Sequence, residues 1–179
     1  MDSRDNKESI ERRFFPEILS SERQRSRSDT ERDRSSDHTR GILCRMAKSM
    51  VFPIGAPNDG FAQYFVGQSY LALVSTSQVG VFNVTFEPGC RNNWHIHHAK
   101  NGGGQIIICV AGRGYYQEEG KETIEMKPGD CINIPAEVKH WHGAAPDSWF
   151  SHLAVEVPGE ETSNEWCEAV SDEEYGKLK

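Results

Sequence analysis

The sequence predicts an all-β domain behind a charged N-terminal segment, and two observations lead to that expectation. From Val51 onward, Gly and Pro recur every few residues, and the short runs between them are rich in β-branched and aromatic residues. Turn signals such as Glu87-Pro88-Gly89 and Lys127-Pro128-Gly129 separate these runs. Many short strands with turns about every 8–12 residues are typical of a β-sandwich or a small β-barrel.

The pattern predicts individual strands and one helical turn. The predicted strands cover residues 61–66, 79–86, 105–110, 114–118, 123–126, 131–134 and 150–157. Residues 171–178 favour a helical turn, because Ser171 precedes Glu174 at the spacing of a capping box.

Charge divides the chain into two predicted parts. The 179 residues include 20 Lys and Arg and 27 Asp and Glu, for a net charge of −7. Residues 1–45 hold 11 of the basic and 10 of the acidic residues, and such a segment buries too little apolar surface to offset its ordering entropy. We therefore expect a disordered tail over 1–45 and a single domain with a short C-terminal extension over 46–179. Met46 or Met50 is a hypothetical alternative start.

Composition also excludes several classes of protein. The acidic 46–179 region argues against a nucleic-acid partner, and no stretch of about 18 apolar residues predicts a membrane span. Arg12-Arg13-Phe14-Phe15 resembles a twin-arginine export signal, but a polar stretch follows it where an apolar one is needed. The five cysteines are odd in number and form no C-x-x-C pair, which favours a reducing, cytoplasmic location.

The residues that suggest chemistry lie in two histidine-rich segments. In the first, His95 and His97 are two residues apart, so on a strand they point to the same face at about 7 Å between Cα atoms. That separation suits two ligands of one metal ion. Gln105 and His140 stand at the ends of further predicted runs, and closure of a barrel would bring such ends together.

These segments resemble the two motifs of the cupin family, taken over residues 50–160. The matching positions are Gly89, His95, His97, Gln105 and Gly112 in the first motif, and Gly129, Pro135 and His140 in the second. The resemblance implies a jelly-roll β-barrel that holds one divalent metal ion through His95, His97, Gln105 and His140.

The motifs depart from the usual pattern at three places. Seven residues separate His97 from Gln105 instead of three or four, and they include three glycines that predict a flexible loop. Gln105 stands where the motif has Glu, so we expect a site with a charge near +2. Glu137 replaces a glycine of the second motif, and Ala144 replaces its final Asn.

A closer similarity suggests the kind of activity. The sequence Lys-His-Trp-His-Gly-Ala at 139–144, with Gln as the third ligand, is similar to cupin domains associated with carboxymuconolactone decarboxylases and to manganese-dependent cupin hydroxynitrile lyases. The similarity implies Mn or Fe as the metal, with Zn, Ni, Co or Cu as alternatives that suit the same ligands. It also implies a homodimer.

Strand alternation assigns the other candidate residues. His142 shares a face with His140, so we expect it in the cavity as a general acid and base or as a structural hydrogen-bonding group. His98 has the opposite parity and is expected to support the ligands from behind, to make a loop contact or to lie on the surface, but not to be a ligand. His152 is expected to be a structural sheet histidine. Ile107 and Cys109 are expected to line the cavity with Gln105.

The resulting hypothesis is a metal-dependent enzyme, a lyase, isomerase or decarboxylase that acts on a small organic substrate. The alternatives are a non-catalytic cupin that binds a metal or small ligand, and an O2-dependent dioxygenase. Trp94 and Trp141 are expected outside the barrel, under a second layer or at a dimer interface. The acidic residues of 156–174 are distant from the histidines in sequence, so we expect them to say little about the charge of the site, which should be cationic.

Overall fold

A computed structural model describes residues 50–178, so the predicted tail over 1–45 and the start hypothesis at Met46 lie outside the described residues. The first strands are β1 (Ala56–Pro57), β2 (Phe65–Val66), β3 (Ser69–Ser75), β4 (Val81–Phe86), β5 (Arg91–Asn92), β6 (His95–His98), β7 (Asn101–Gly102) and β8 (Gln105–Gly112). They are followed by β9 (Gly114–Glu118), β10 (Ile124–Met126), β11 (Cys131–Ile134), β12 (His140–Ala144), β13 (Phe150–Glu156), β14 (Gly159–Glu160) and β15 (Ser163–Trp166). A 3-10 helix covers Asp59–Tyr64, and the α-helix α1 covers Asp172–Tyr175.

Two large antiparallel sheets enclose one interior core, and β7 pairs with β14 in a separate two-stranded sheet. One sheet has the order β1-β3-β4-β13-β8-β11, and the other contains β10-β9-β12-β5-β2 with β6 between β12 and β15. The core between them includes Phe86, Ile107, Tyr116, Met126 and Phe150, each at most 1% exposed. This closed all-β architecture confirms the predicted jelly-roll barrel.

The strand predictions differ from the structure at the 61–66 run and at several strands that were not predicted, among them β3 and β15. The run at 61–66 is mostly a 3-10 helix, with only its last two residues in β2. The periodicity of a short apolar run does not distinguish a helix from a strand. Here the 3-10 helix, and not a strand, carries Phe61 into a buried position. Strand β3 was not predicted, because polar and apolar residues alternate only weakly along it. The segment is a strand because it pairs with β1 and β4, which the sequence does not show.

The C-terminal segment packs on the outer face of the second sheet. Val170 and Tyr175 join Trp94, Tyr115 and Trp141 in a second apolar cluster, which confirms the prediction that both tryptophans lie under a second layer. The predicted capping box is present at α1, since Ser171 accepts from the backbone N–H of Glu174 and Glu174 bonds back to Ser171. Among residues 50–178, no helix has the length and apolar character needed to cross a membrane.

We expect Tyr175 to be a main contact of this outer layer. Its ring packs edge-on against Trp141 at 6.2 Å between centroids and lies under the Arg91 guanidinium at 4.4 Å, and its hydroxyl donates to the Ala144 carbonyl. Tyr175→Ala should lower the free energy of unfolding by about 3 kcal/mol, as for other large aromatic truncations. Tyr175→Phe, which loses only the hydrogen bond, should lower it by about 1 kcal/mol. Urea unfolding measures both, and equal losses in the two variants would contradict the packing role.

Candidate metal centre

Three buried histidines meet inside the barrel. His95 and His97 lie on β6, and His140 lies on β12 directly opposite His95. One potential ligand atom from each of the three lies within 4.8 Å of the others. The alternation along β6 places His95 and His97 inward, while Ile96 and His98 between and beyond them are less buried.

Hydrogen bonds determine which ring nitrogen His95 and His140 can offer to a metal ion. Nδ1 of His95 lies 2.9 Å from the Asn93 carbonyl, and Nδ1 of His140 lies 2.9 Å from the Val138 carbonyl. A carbonyl only accepts, so both Nδ1 atoms carry the proton and both Nε2 atoms offer a lone pair. Nε2 of His97 and of His140 is buried with no hydrogen-bond partner among the described residues.

Gln105, the first residue of β8 and the fourth predicted ligand, lines a cavity together with His95 and His97. Its Oε1 is also buried with no hydrogen-bond partner in the described part of the chain. Its Nε2 donates to Oε1 of Glu156 at 2.7 Å. The side-chain nitrogen of Gln105 therefore has a hydrogen-bond partner, and its side-chain oxygen is available to bind a cation.

The donor set fits a divalent metal ion. Burial lowers the pKa of both His97 and His140 to about 4, so the imidazoles are neutral, as metal ligands must be. Buried polar atoms without a partner are costly, and a cation bound by these nitrogens and the amide oxygen would satisfy them. Three nitrogens and one oxygen suit several transition metals.

His142 faces the same cavity from β12 and is 4% exposed. The side-chain oxygen Oδ1 of Asn92 accepts from the His142 backbone N–H at 2.9 Å, which turns the side-chain nitrogen of Asn92 toward the His142 ring, 3.1 Å from Nε2. Burial lowers the pKa of His142 well below its usual value. The imidazole is thus neutral, oriented and adjacent to the triad, with 5.5 Å between its ring centroid and that of His95.

His152 has a larger part in this cavity than the sequence suggested. It is fully buried on β13, lines the cavity, and places Nε2 3.2 Å from Nδ1 of His142. Its Nδ1 has no hydrogen-bond partner among the described residues. The signal that could have identified it is the parity of β13, where residues 150, 152 and 154 are all buried.

Glu156 changes the charge that was expected at the site. It lies on β13 opposite Gln105, lines the cavity, and has one oxygen 3.7 Å from Nδ1 of His97. Burial raises its pKa to about 7. The expected charge near +2 omitted this carboxyl. Although residues 156–174 are distant from the histidines in sequence, the pairing of β13 with β8 and of β15 with β6 brings part of this acidic segment to the site.

Aromatic side chains form much of the remaining cavity wall. The cavity has a volume of about 70 Å³. By the same measure one water molecule needs about 10–15 Å³, so the cavity admits several waters or a small organic molecule. Phe61, Phe65 and Trp166 line it, and Trp166 stacks on Tyr64 at 4.5 Å and lies 4.9 Å from the His95 ring. Sequence reasoning missed this wall, because its members come from segments about 100 residues apart.

Ile107 and Cys109 do not line the cavity. Both are buried in the interior core, where Cys109 packs as an apolar residue away from the histidine triad. The inward residues of β8 pass from the cavity at Gln105 into the core. Of the two neighbouring tyrosines on β9, Tyr116 faces this core and Tyr115 faces the outer cluster.

The unusual loops are ordered by hydrogen bonds. Glu137, which replaces a glycine of the motif, has a φ of 68° and so occupies the left-handed region. Its side chain accepts from the Ala99 N–H at 3.0 Å and contacts Nδ1 of His98 at 2.6 Å, while Glu165 contacts Nε2 of His98. His98 therefore lies on the surface, as its parity predicts. Gly104, at φ 88°, leaves no room for a Cβ, which would lie 2.2 Å from the Ile134 carbonyl oxygen.

Comparisons with known proteins agree with this geometry. The family described as "Cupin domain" matches residues 82–155. The (R)-mandelonitrile lyase of Granulicella tundricola is 43% identical over 93 residues, which are 52% of this chain and 68% of that protein. A cupin-like protein from Thermotoga maritima superposes with a TM-score of 0.62 at 36% identity, covering 72% of this chain and 96% of that one.

Proposed function

The chain belongs to the cupin family, and from that premise we propose that it is a metal-dependent lyase that cleaves cyanohydrins of aromatic aldehydes. The observation that carries the proposal is one cavity that combines a metal-type donor set, a buried histidine pair and an aromatic wall. The similarity to a mandelonitrile lyase supports the same substrate class.

The metal would be held by His95, His97, His140 and Gln105. When bound there, a divalent ion supplies Lewis acidity toward a substrate oxygen and so favours loss of the hydroxyl proton. Manganese is the metal that we propose, and elemental analysis of the purified protein tests that choice. A homodimer and a cytoplasmic location belong to the same proposal; light scattering measures the first, and fractionation of the source cells measures the second.

His142 is the residue that we propose to move the proton. In this reaction a ring nitrogen of His142 takes the proton of the cyanohydrin hydroxyl as general base. The bond to the nitrile carbon breaks, its electron pair leaves on cyanide, and the oxygen forms the aldehyde carbonyl. The imidazolium then returns the proton to cyanide, and the products are the aldehyde and hydrogen cyanide. His152, with Nε2 3.2 Å away, can share the proton during the step.

The cavity walls support a substrate with an aromatic substituent. Phe61, Phe65 and Trp166 offer ring faces and edges, and Leu71 and Val84 add aliphatic surface. Aromatic pairs contribute beyond their buried area, so a phenyl ring gains more here than a small alkyl group. The polar hydroxyl and nitrile would lie toward the imidazoles.

The experiment that tests the proposal is release of benzaldehyde from (R)-mandelonitrile by the manganese-loaded protein. We expect turnover that is equal in air and under nitrogen, because the reaction consumes no oxidant. Turnover that requires O2 would favour the dioxygenase alternative. Tight metal binding without turnover of any aromatic cyanohydrin would contradict the lyase and favour the non-catalytic alternative.

We expect Trp166 to determine selectivity for aromatic substrates. Trp166→Leu should raise KM for mandelonitrile by about 2- to 12-fold, since an aromatic contact is worth about 0.5–1.5 kcal/mol. KM for acetone cyanohydrin should change much less. Initial-rate kinetics measure both, with Trp149→Leu as the control because Trp149 stacks on Tyr70 and is not part of the cavity wall. An equal change in KM for the two substrates would contradict this role.

A further inference from the structure

Gln105 and Glu156 form a buried cross-strand pair beside the histidine triad. They stand directly opposite each other on β8 and β13, and Nε2 of Gln105 lies 2.7 Å from Oε1 of Glu156. Gln105 is 6% exposed, and the Glu156 side chain is 11% exposed. The hydrogen bond is therefore largely shielded from water.

This contact determines which way the Gln105 amide points. An amide nitrogen can only donate, and the Glu156 oxygen accepts from it. A flipped amide would place two acceptor oxygens against each other and turn its N–H groups toward the position of a cation. The observed orientation leaves Oε1 of Gln105 buried with no hydrogen-bond partner in the described region, which is the arrangement a metal ligand requires.

We propose that Glu156 is a positioning residue that holds the Gln105 carbonyl oxygen toward the metal. The inference rests on the metal site of the proposed function and is independent of the reaction catalysed there. The other Glu156 oxygen lies 3.7 Å from Nδ1 of His97, so one side chain borders two of the four proposed ligands.

The pair also accounts for the departure from the usual motif. Where the family motif has a glutamate ligand, this chain has an amide ligand and a carboxyl on the neighbouring strand. A glutamate at position 105 would place two carboxyl groups in contact at this spot. The carboxyl group thus lies on the neighbouring strand, at Glu156, and the hydrogen bond connects it to the proposed ligand Gln105.

The experiment compares Mn²⁺ binding to variants of the full chain by calorimetry and by electron paramagnetic resonance of the bound ion. Glu156→Leu removes the acceptor, and loss of such a supporting hydrogen bond should weaken binding by about 10–100-fold. Glu156→Gln keeps an acceptor oxygen and should weaken binding less than Glu156→Leu. Circular dichroism verifies that each variant is folded.

Exchanging the two residues provides the rescue. The double variant Gln105→Glu/Glu156→Gln keeps one carboxyl and one amide at these positions, but the amide at position 156 now donates to the carboxyl at position 105. Mn²⁺ binding should therefore return to within about tenfold of the original protein. The control is Glu173→Gln, an exposed acid on α1, which should change neither affinity nor spectrum.

Two outcomes overturn the inference. One is unchanged Mn²⁺ affinity and an unchanged resonance spectrum in folded Glu156→Leu. The other is an exchanged pair that binds as weakly as Glu156→Leu. Because the measurements need no substrate, failure of the protein to cleave cyanohydrins would reject the lyase proposal and leave this test valid.

Discussion

His140→Ala is expected to abolish stoichiometric metal binding and, with it, the proposed turnover. The His140 ring is fully buried at a centroid distance of 4.1 Å from His95 and 5.5 Å from His97, and it is one of the three members of the candidate ligand group among the described residues. Lewis-acid stabilisation contributes several kcal/mol, so kcat/KM should fall by about 1,000-fold or more. Elemental analysis and benzaldehyde release measure the two effects.

The matched control is His98→Ala, which removes an imidazole from the surface of β6. His98 contacts Glu137 and Glu165 but not the triad, so metal content should be unchanged. If His140→Ala still bound one metal ion with the original affinity, the assignment of the triad would be rejected.

His142→Ala is expected to lower kcat by about 100–10,000-fold while the metal stays bound, which is the usual contribution of a positioned acid–base group. His142 lies in the cavity but forms no part of the histidine triad. Substrate affinity should change little, so the loss should appear in kcat more than in KM. Steady-state kinetics with elemental analysis of the same sample separates the two.

His152→Gln serves as the comparison for His142→Ala. It removes the neighbouring imidazole but leaves His142 itself and its contacts with Asn92 in place, so the expected loss of kcat is smaller. Full activity in His142→Ala would show that the proton moves elsewhere. Loss of metal from His142→Ala would show instead that the ring supports the triad.

Local patterns led to the four proposed ligands and to His142, whose roles stay predictions. Alternation along a strand puts His95 and His97 on one face without knowledge of the rest of the fold. The motif spacings then pointed to Gln105 and His140, and the structure brings the three histidines together and places Gln105 in the cavity that His95 and His97 line. Even the capping box at Ser171 is a local pattern, and it is present.

Glu156, His152 and Trp166 could not be assigned to the cavity in this way. Each reaches it through pairing between strands that are far apart in sequence: β13 lies beside β8, and β15 lies beside β6. Strand parity can show which face of a segment turns inward, but it does not show which other segment that face meets.

The sequence by itself determined the barrel, the two histidine motifs and the capped C-terminal turn, because each depends on residues within a few positions of one another. Only the tertiary structure decided the charge and the shape of the cavity. Those properties depend on the strand order, which places a buried acid opposite Gln105 and an aromatic ring against His95. Side chains about 50 to 70 residues apart in sequence become neighbours only when the two sheets close.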